Sequence, residues 1–302
     1  MSSIYNSPYL TMNYKITHNT QYSYNSLVNL CHNEARLMPR SFAQQVCTQS
    51  EFTVEPEPTS YRERKDFFGN TVCYFTIQRP HQDLSVTVTS HVEMKDPQIQ
   101  TDAVKDIVWE TVQEQLHTDQ NAEILEIRQY MLDSPMIQDM PGLHTYADSS
   151  FTKGRSLLEV VEDLIKRLYE DFTYDPNFTT IATPLAEVIE YRRGVCQDFA
   201  HLGIGCLRSM GLAARYVSGY IETVAQPDQE QLVGTSASHA WFSVYLPDIG
   251  WIDFDPTNNQ IPTNRHITVA WGRDYSDVTP LKGVVFGSGT HELSVSVDCR
   301  AV

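Results

Sequence analysis

Residues 192–211 read RRGVCQDFAHLGIGCLRSMG. Val195, Phe199, Leu202, Cys206 and Met210 recur at helical spacing and Gly211 closes the run, which predicts an α-helix with its stop signal in place. Gly194 precedes the run, so Cys196 falls in the first turn. Unpaired N–H groups and the positive end of the helix dipole favour a thiolate there, and the same N–H groups can hold an oxyanion. Cys206, on the apolar face of the same helix, reads as a small core residue.

A cysteine nucleophile needs a base and a group to orient that base. Downstream, residues 238–259 read SHAWFSVYLPDIGWIDFDPTNN. Ala240–Leu246 and Trp251–Phe254 are strand-like and a Pro-Asp-Ile-Gly turn separates them, so a hairpin would bring His239 and Asp255 to the same end. Strand parity sets a condition. Side chains alternate faces, and residues directly opposite in an antiparallel pair point the same way. His239 and Asp255 meet only if odd positions pair with odd positions. That requires an odd-length loop within Leu246–Gly250, or one bulge to restore parity.

The flanking sequence changes period twice. From Tyr14 to Tyr24 odd positions are polar and even ones mostly aromatic, aliphatic or β-branched. Cys73, Phe75 and Ile77 alternate after a turn at Gly69-Asn70, as do Leu84, Val86 and Val88. These are strands of an antiparallel, sandwich-like domain. From about residue 100 the pattern is helical: Ser156-Leu157-Leu158-Glu159 is a capping box, with Leu157, Val161, Leu164 and Leu168 behind it. Pro184 fits the first turn of a short helix ending near Tyr191. Strands return after Gly211 and again at Leu293, Val295 and Val297. Blocks of helices and strands without β-α-β alternation indicate an α+β fold. The expected division is a flexible extension over 1–11, a β domain over 12–98, and an α+β core over 99–302 that includes a helical lead-in and the C-terminal strands.

Of 302 residues, 41% are hydrophobic and 20% charged, enough for a real core. A net charge of −16 and a pI near 4.9 make nucleic acid or an anionic membrane poor partners. The chain shows no run of apolar residues long enough for a membrane span and no secretory signal pattern. Six cysteines without CxxC or Cys/His ligand spacing read as free thiols, with neither a disulfide framework nor a metal site. The expected location is the cytoplasm, and no cofactor is called for.

GVCQDFAHLGIGCLRSMGLAARYVSGY (194–220) and SHAWFSVYLPDIGWIDFDPTNN resemble the core of the transglutaminase-like superfamily. FGNTVCYF (68–75) and the strands around it are similar to the N-terminal region of bacterial transglutaminase-like proteins, a group described as predicted cysteine proteases. RHITVAWGRDYSDVTPLKGVVFGSGTHELSVSV (265–297) is similar to the C-terminal strands of that group. The resemblance spans Tyr14 to Val297. It implies a papain-like Cys-His-Asp triad on an α+β fold, with Cys196 as nucleophile, His239 as base and Asp255 as orienter. It also implies thiol chemistry on a peptide or protein amide. Hydrolysis is the favoured outcome, transamidation of a glutamine side chain the alternative, and a non-catalytic peptide-binding module the second alternative. Papain-like enzymes often carry a glutamine shortly before the cysteine. Residues 188–193 (VIEYRR) contain none, which leaves the second oxyanion donor open.

Other candidates read as structural. Asp198 and His201 suit hydrogen bonds within the fold, Trp241 and Trp251 suit packing beside the triad, and Arg273–Asp274 suits a buried brace. The acidic stretch Glu222–Glu230 lacks the oxygen-ligand spacing of a calcium loop.

Overall fold

The computed structural model describes residues 11–95, 104–180, 183–223 and 237–302. Alternation sets the first element: in β1 (Thr11–Ala35) Tyr14, Ile16, His18 and Thr20 are buried, while Thr11, Asn13, Lys15 and Gln21 are exposed. One edge of β1 pairs antiparallel with β4 (Thr71–Ile77) and then β5 (His81–Lys95). Outside these, β2 (Gln45–Glu55) pairs with β5 and β3 (Ser60–Lys65) with β4. The register of β1 breaks between Ser23 and Val28, and Pro56 and Pro58 interrupt the outer row at the same level. Around that break Val28, Cys31, Ala35, Val54, Phe75, Ile77, Val86 and Val88 enclose a small core of their own. Before it, Tyr14, Ile16, Val92 and Met94 pack into the main core with the helices.

The other edge of β1 is covered from the far end of the chain. β12 (Leu281–Gly287) pairs with Val28–Ala35 and β13 (His291–Ala301) with Tyr14–Tyr24. The C-terminal strands therefore complete the N-terminal sheet and do not extend the unit expected over 99–302. A 25-residue strand with one row on one side leaves a long open edge, and a returning antiparallel segment closes it. The expected boundary at 98/99 and residues 1–10 lie outside the described residues, and Thr11 is already part of β1.

The helical section begins with α1 (Trp109–Thr118), α2 (Ala122–Ile127), a 3₁₀ turn at Arg128–Met131 and α3 (Pro141–Asp148). α4 (Leu157–Asp171) carries the expected capping box: Glu159 N–H donates to Ser156 Oγ at 3.3 Å and Ser156 N–H to Glu159 Oε2 at 3.2 Å. Its buried stripe is Leu157, Val160, Val161, Leu164, Ile165 and Leu168. After α5 (Leu185–Tyr191), capped by Pro184, the short parallel pair β6 (Thr173–Tyr174) and β7 (Arg193–Gly194) anchors the chain that enters α6 (Cys196–Ser209).

The second sheet has the order β10-β9-β8-β11, from β8 (Ala214–Ile221), β9 (His239–Leu246), β10 (Gly250–Phe254) and β11 (His266–Gly272). α6 packs closely on the face that carries Phe242, for a Cβ on Gly203 would lie 2.4 Å from that ring. The outer edge of β11 is paired by side chains of the N-terminal domain. The Gln45 carboxamide donates to Thr268 O and accepts from Thr268 N–H, both at 2.7 Å. Asn70 does the same for Trp271, at 2.9 and 3.0 Å. Both amides are fully buried and satisfy backbone groups that an edge strand would otherwise leave open.

Candidate active site

Cys196 is the first residue of α6, where the leading N–H groups have no intrahelical acceptor. Val195 N–H is taken instead by Asp198 Oδ2 at 2.8 Å, an oxygen that also accepts from Thr179 Oγ at 2.8 Å. Asp198 thus pins the turn that presents Cys196. Burial pushes its carboxyl up, against the pull of those two hydrogen bonds. His201 is buried and accepts from Tyr275 N–H at 3.1 Å, and burial lowers its pKa to about 4. Both residues make hydrogen bonds within the fold, as their sequence context suggests. The six cysteines are free thiols. Cys31, Cys73, Cys206 and Cys299 are buried, while Cys196 and Cys47 are half-buried. Burial raises the thiols of Cys31, Cys73 (to about 11), Cys206 (to about 12) and Cys299.

The hairpin satisfies the parity condition. Leu246 pairs with Gly250, so Pro247–Ile249 is a three-residue loop, and Tyr245 faces Trp251 and Ser243 faces Asp253. Odd pairs with odd. One residue past β10, Asp255 Oδ2 lies 2.9 Å from His239 Nε2, with both side chains fully buried. Asp255 Oδ1 accepts from the N–H groups of Thr257 and Asn258 at 3.0 and 3.3 Å, and Asn258 Nδ2 donates to Oδ2 at 2.7 Å. Burial alone would raise this carboxyl, but His239 and its other donors hold it well below the usual carboxylate range. An ionised carboxylate can only accept, so Nε2 of His239 carries the hydrogen and Nδ1 is the basic nitrogen.

Nδ1 of His239 is buried and makes no conventional hydrogen bond among the described residues. Burial would strip charge from the ring, but the Asp255 carboxylate and its hydrogen bond, then Cys196, push its pKa up to about 10. Cys196, His239 and Asp255 therefore stand together, with a positive imidazole between a thiol and a carboxylate. Such a group can hold a thiolate and return a proton to a leaving amine.

Two family descriptions match separate stretches of the chain, and the second contains all three of these residues. Residues 14–93 match the bacterial transglutaminase-like N-terminal region, and residues 144–256 match the transglutaminase-like superfamily. An uncharacterized protein of Mycobacterium tuberculosis is 38% identical over 295 residues, covering 95% of this chain and 92% of that protein. The chain belongs to the transglutaminase-like superfamily. A second uncharacterized protein, from Mycobacterium leprae, is 33% identical over 287 residues, 94% of this chain and 97% of that one. The core alone is 29% identical over 107 residues to a protein-glutamine gamma-glutamyltransferase of Pseudomonas aeruginosa, 33% of this chain and 16% of that enzyme. In structure, the chain superposes on a candidate cysteine protease from Cytophaga hutchinsonii with a TM-score of 0.75 and 22% identity, over 97% of this chain and 91% of that one. That likeness extends the shared fold to nearly the whole transglutaminase-like chain.

Around the site, Trp241 Nε1 donates to Asp253 Oδ2 at 3.0 Å and Ser243 Oγ donates to Asp253 Oδ1. Trp251 packs against Arg215, whose guanidinium lies 4.3 Å from that ring and 3.8 Å from Trp271; Arg40 lies 3.5 Å from Trp271. This cation–π stack ties the N-terminal domain to the core. The expected Arg273–Asp274 brace is not formed. Arg273 pairs with Asp277 through two contacts of 2.9 and 3.1 Å, because side chains four apart on a helical turn meet and adjacent ones diverge. Asp274 accepts from Met136 and Ser276 N–H groups at 2.7 and 2.8 Å.

Sequence reasoning missed His266. Its Nε2 lies 3.1 Å from Asp255 Oδ2, the same oxygen that His239 uses. Nothing in the local pattern marks it, since β10 and β11 are at opposite edges of the sheet. His239, Asp255 and His266 offer three donor atoms within 4.8 Å of one another, close enough to surround an ion. The nitrogen–oxygen separations of 2.9 and 3.1 Å are those of hydrogen bonds. A cavity of about 730 Å³ opens between the domains, bounded by Phe42, Met94, Arg215, Trp251, His266 and Trp271. It lies on the face of the sheet away from α6 and does not include Cys196 among its walls. Most of the acidic stretch Glu222–Glu230, residues 224–230, lies outside the described residues.

Proposed function

We propose that the protein is a thiol-dependent hydrolase of peptide or protein amides, acting through Cys196, His239 and Asp255. The observation that carries this reading is the buried 2.9 Å contact between His239 and Asp255, which leaves Nδ1 as the basic nitrogen on a ring that responds to Cys196. In the reacting form the Cys196 sulfur has given its proton to His239. The Cys196 sulfur attacks the amide carbonyl, and the negative charge formed on oxygen is met by N–H groups at the head of α6. The C–N bond then breaks as His239 delivers its proton to the leaving amine, giving a thioester on Cys196. His239, now neutral, takes a proton from water. The resulting attack releases a carboxylic acid and regenerates the thiolate. Asp255 keeps the ring in one tautomer throughout.

An amine in place of water would yield a new amide. The relation of the core to a protein-glutamine gamma-glutamyltransferase gives this transamidase reading its support. One experiment separates the two outcomes. A glutamine-containing peptide is supplied with a labelled primary amine, and products are resolved by mass. Hydrolysis releases a free carboxylate with no amine incorporated, whereas predominant incorporation of the amine would overturn the hydrolytic reading. Equal inactivity of the native chain and Cys196→Ala towards amides would overturn both.

A further inference from the structure

His266 is fully buried, and Nε2 is the ring atom it directs at a carboxylate oxygen already serving His239. The charged groups that bear on it are Asp255, His239 and Asp253, and its other ring neighbour is Trp241 at 5.3 Å between centroids. Asp255 is ionised and can only accept, so His266 must carry its hydrogen on Nε2. Among the described residues its buried Nδ1 has no hydrogen-bond partner, and so no acceptor for a second proton. The His239 and His266 rings are 6.2 Å apart, and two positive imidazoles on one carboxylate would repel each other. A neutral His266 avoids that repulsion and still donates.

We propose that His266 is a positioning residue that fixes the rotation of Asp255 by donating Nε2–H to the oxygen that holds His239. The proposal rests on Cys196, His239 and Asp255 acting as one reacting unit. Thr257 and Asn258 grip Oδ1 and Asn258 also reaches Oδ2, all from the turn that follows Asp255 itself. Besides His239 on β9, His266 reaches Oδ2 from another strand, β11. Without it the carboxylate is held by His239 and by its own turn, and can swing with that turn. The imidazolium is then less well placed, so it stabilises the thiolate of Cys196 less and the sulfur holds its proton to higher pH.

The test measures the rate of Cys196 alkylation by iodoacetamide from pH 4 to 9, in a Cys47→Ser background that removes the other half-buried thiol. The acid limb of the parent should lie well below the ordinary thiol range. His266→Ala should move that limb upward by about one unit, an approximately tenfold slower reaction near pH 6. His266→Gln keeps an N–H donor and should return the rate to within about threefold of the parent. His201→Gln, a change at an equally buried histidine remote from Asp255, should leave the limb in place. A low parent limb that His266→Ala does not move, or that His266→Gln fails to restore, overturns the proposal alone. A parent limb at the ordinary thiol value overturns the shared reading of the site as well. Nitrogen-15 chemical shifts of the unaltered histidines give a readout that needs no variant to fold. A neutral His266 protonated on Nε2 at pH 7 supports the proposal, and an imidazolium or an Nδ1–H tautomer contradicts it.

Discussion

Trp241 donates its indole N–H to Asp253 at 3.0 Å, and this bond engages one of the two aspartates that share a face of the second hairpin strand. Ser243 fills the other oxygen of Asp253. Asp255, two residues further along, is the carboxylate that reaches His239. The two aspartates should therefore separate in a mutational test. Asp255→Asn should lower turnover by on the order of 10⁴, if the tautomer argument for serine triads carries over. Asp253→Ala should retain most turnover but lose about 1–3 kcal/mol of stability, because it strands the Trp241 and Ser243 donors. Steady-state kinetics and urea unfolding of both variants check the pair, and a fully active Asp255→Asn would mean that another group orients His239.

Thiol reactivity should follow the same geometry. Substoichiometric iodoacetamide on the native chain should modify Cys196 first and Cys47 second. Cys31, Cys73, Cys206 and Cys299 are buried, and burial raises each of their thiols. Peptide mapping reads the order directly. Faster labelling of any buried cysteine would contradict the assignment.

The edge of β11 offers a stability test far from the chemistry. Gln45→Ala removes both hydrogen bonds to Thr268 and leaves its buried N–H unpaired, while Thr268 O keeps the bond from Arg40 N–H at 3.2 Å. A loss of about 2–4 kcal/mol is expected in urea unfolding, with Gln44→Ala, an exposed neighbour, within about 0.5 kcal/mol of the parent. Equal effects of the two changes would show that the amide does not hold the domains together.

Buried histidines set the pH dependence of stability, and they act in opposite directions. His18, bonded to Thr20 and Tyr220, has its pKa lowered to about 4 by burial. Protonation then favours the unfolded chain, where the pKa is near 6.5. The contribution is complete above pH 6.5 and is lost as the pH falls through 4, amounting to about 3 kcal/mol. His239, with its pKa raised to about 10, contributes fully below 6.5 and loses that contribution as the pH rises towards 10. Thermal unfolding across pH 4–7 should show a shallower acid decline in His18→Gln than in the parent, and identical slopes would remove His18 as a cause.

Much of this arrangement was legible because it is local. Helical spacing and Gly194 placed Cys196 at the head of α6, and parity called for an odd-length loop or one bulge, which a three-residue loop supplies to bring Asp255 round to His239. The Ser156–Glu159 capping box was readable for the same reason. Contacts between distant segments were not. β12 and β13 alternate like any strands, and nothing in that pattern says that they return to β1. Asn70 reads only as part of a turn and nothing marks Gln45, since a side-chain amide pairing a remote edge leaves no periodic trace. His266 was hidden likewise, because β11 reaches Asp255 from the opposite edge of the sheet. Arg273 was placed with the wrong aspartate because adjacency in sequence was read as contact, when the helical turn brings Asp277 to it.

The measurement closest to the central claim is capture of the acyl intermediate. The protein is mixed rapidly with a chromogenic ester of a blocked peptide acid, quenched in acid, digested and mapped by mass. The account predicts one acyl group on Cys196, labile to hydroxylamine, formed in a burst and absent from Cys196→Ala and His239→Ala. Turnover with no acyl group on Cys196, or an identical burst in Cys196→Ala, would contradict it.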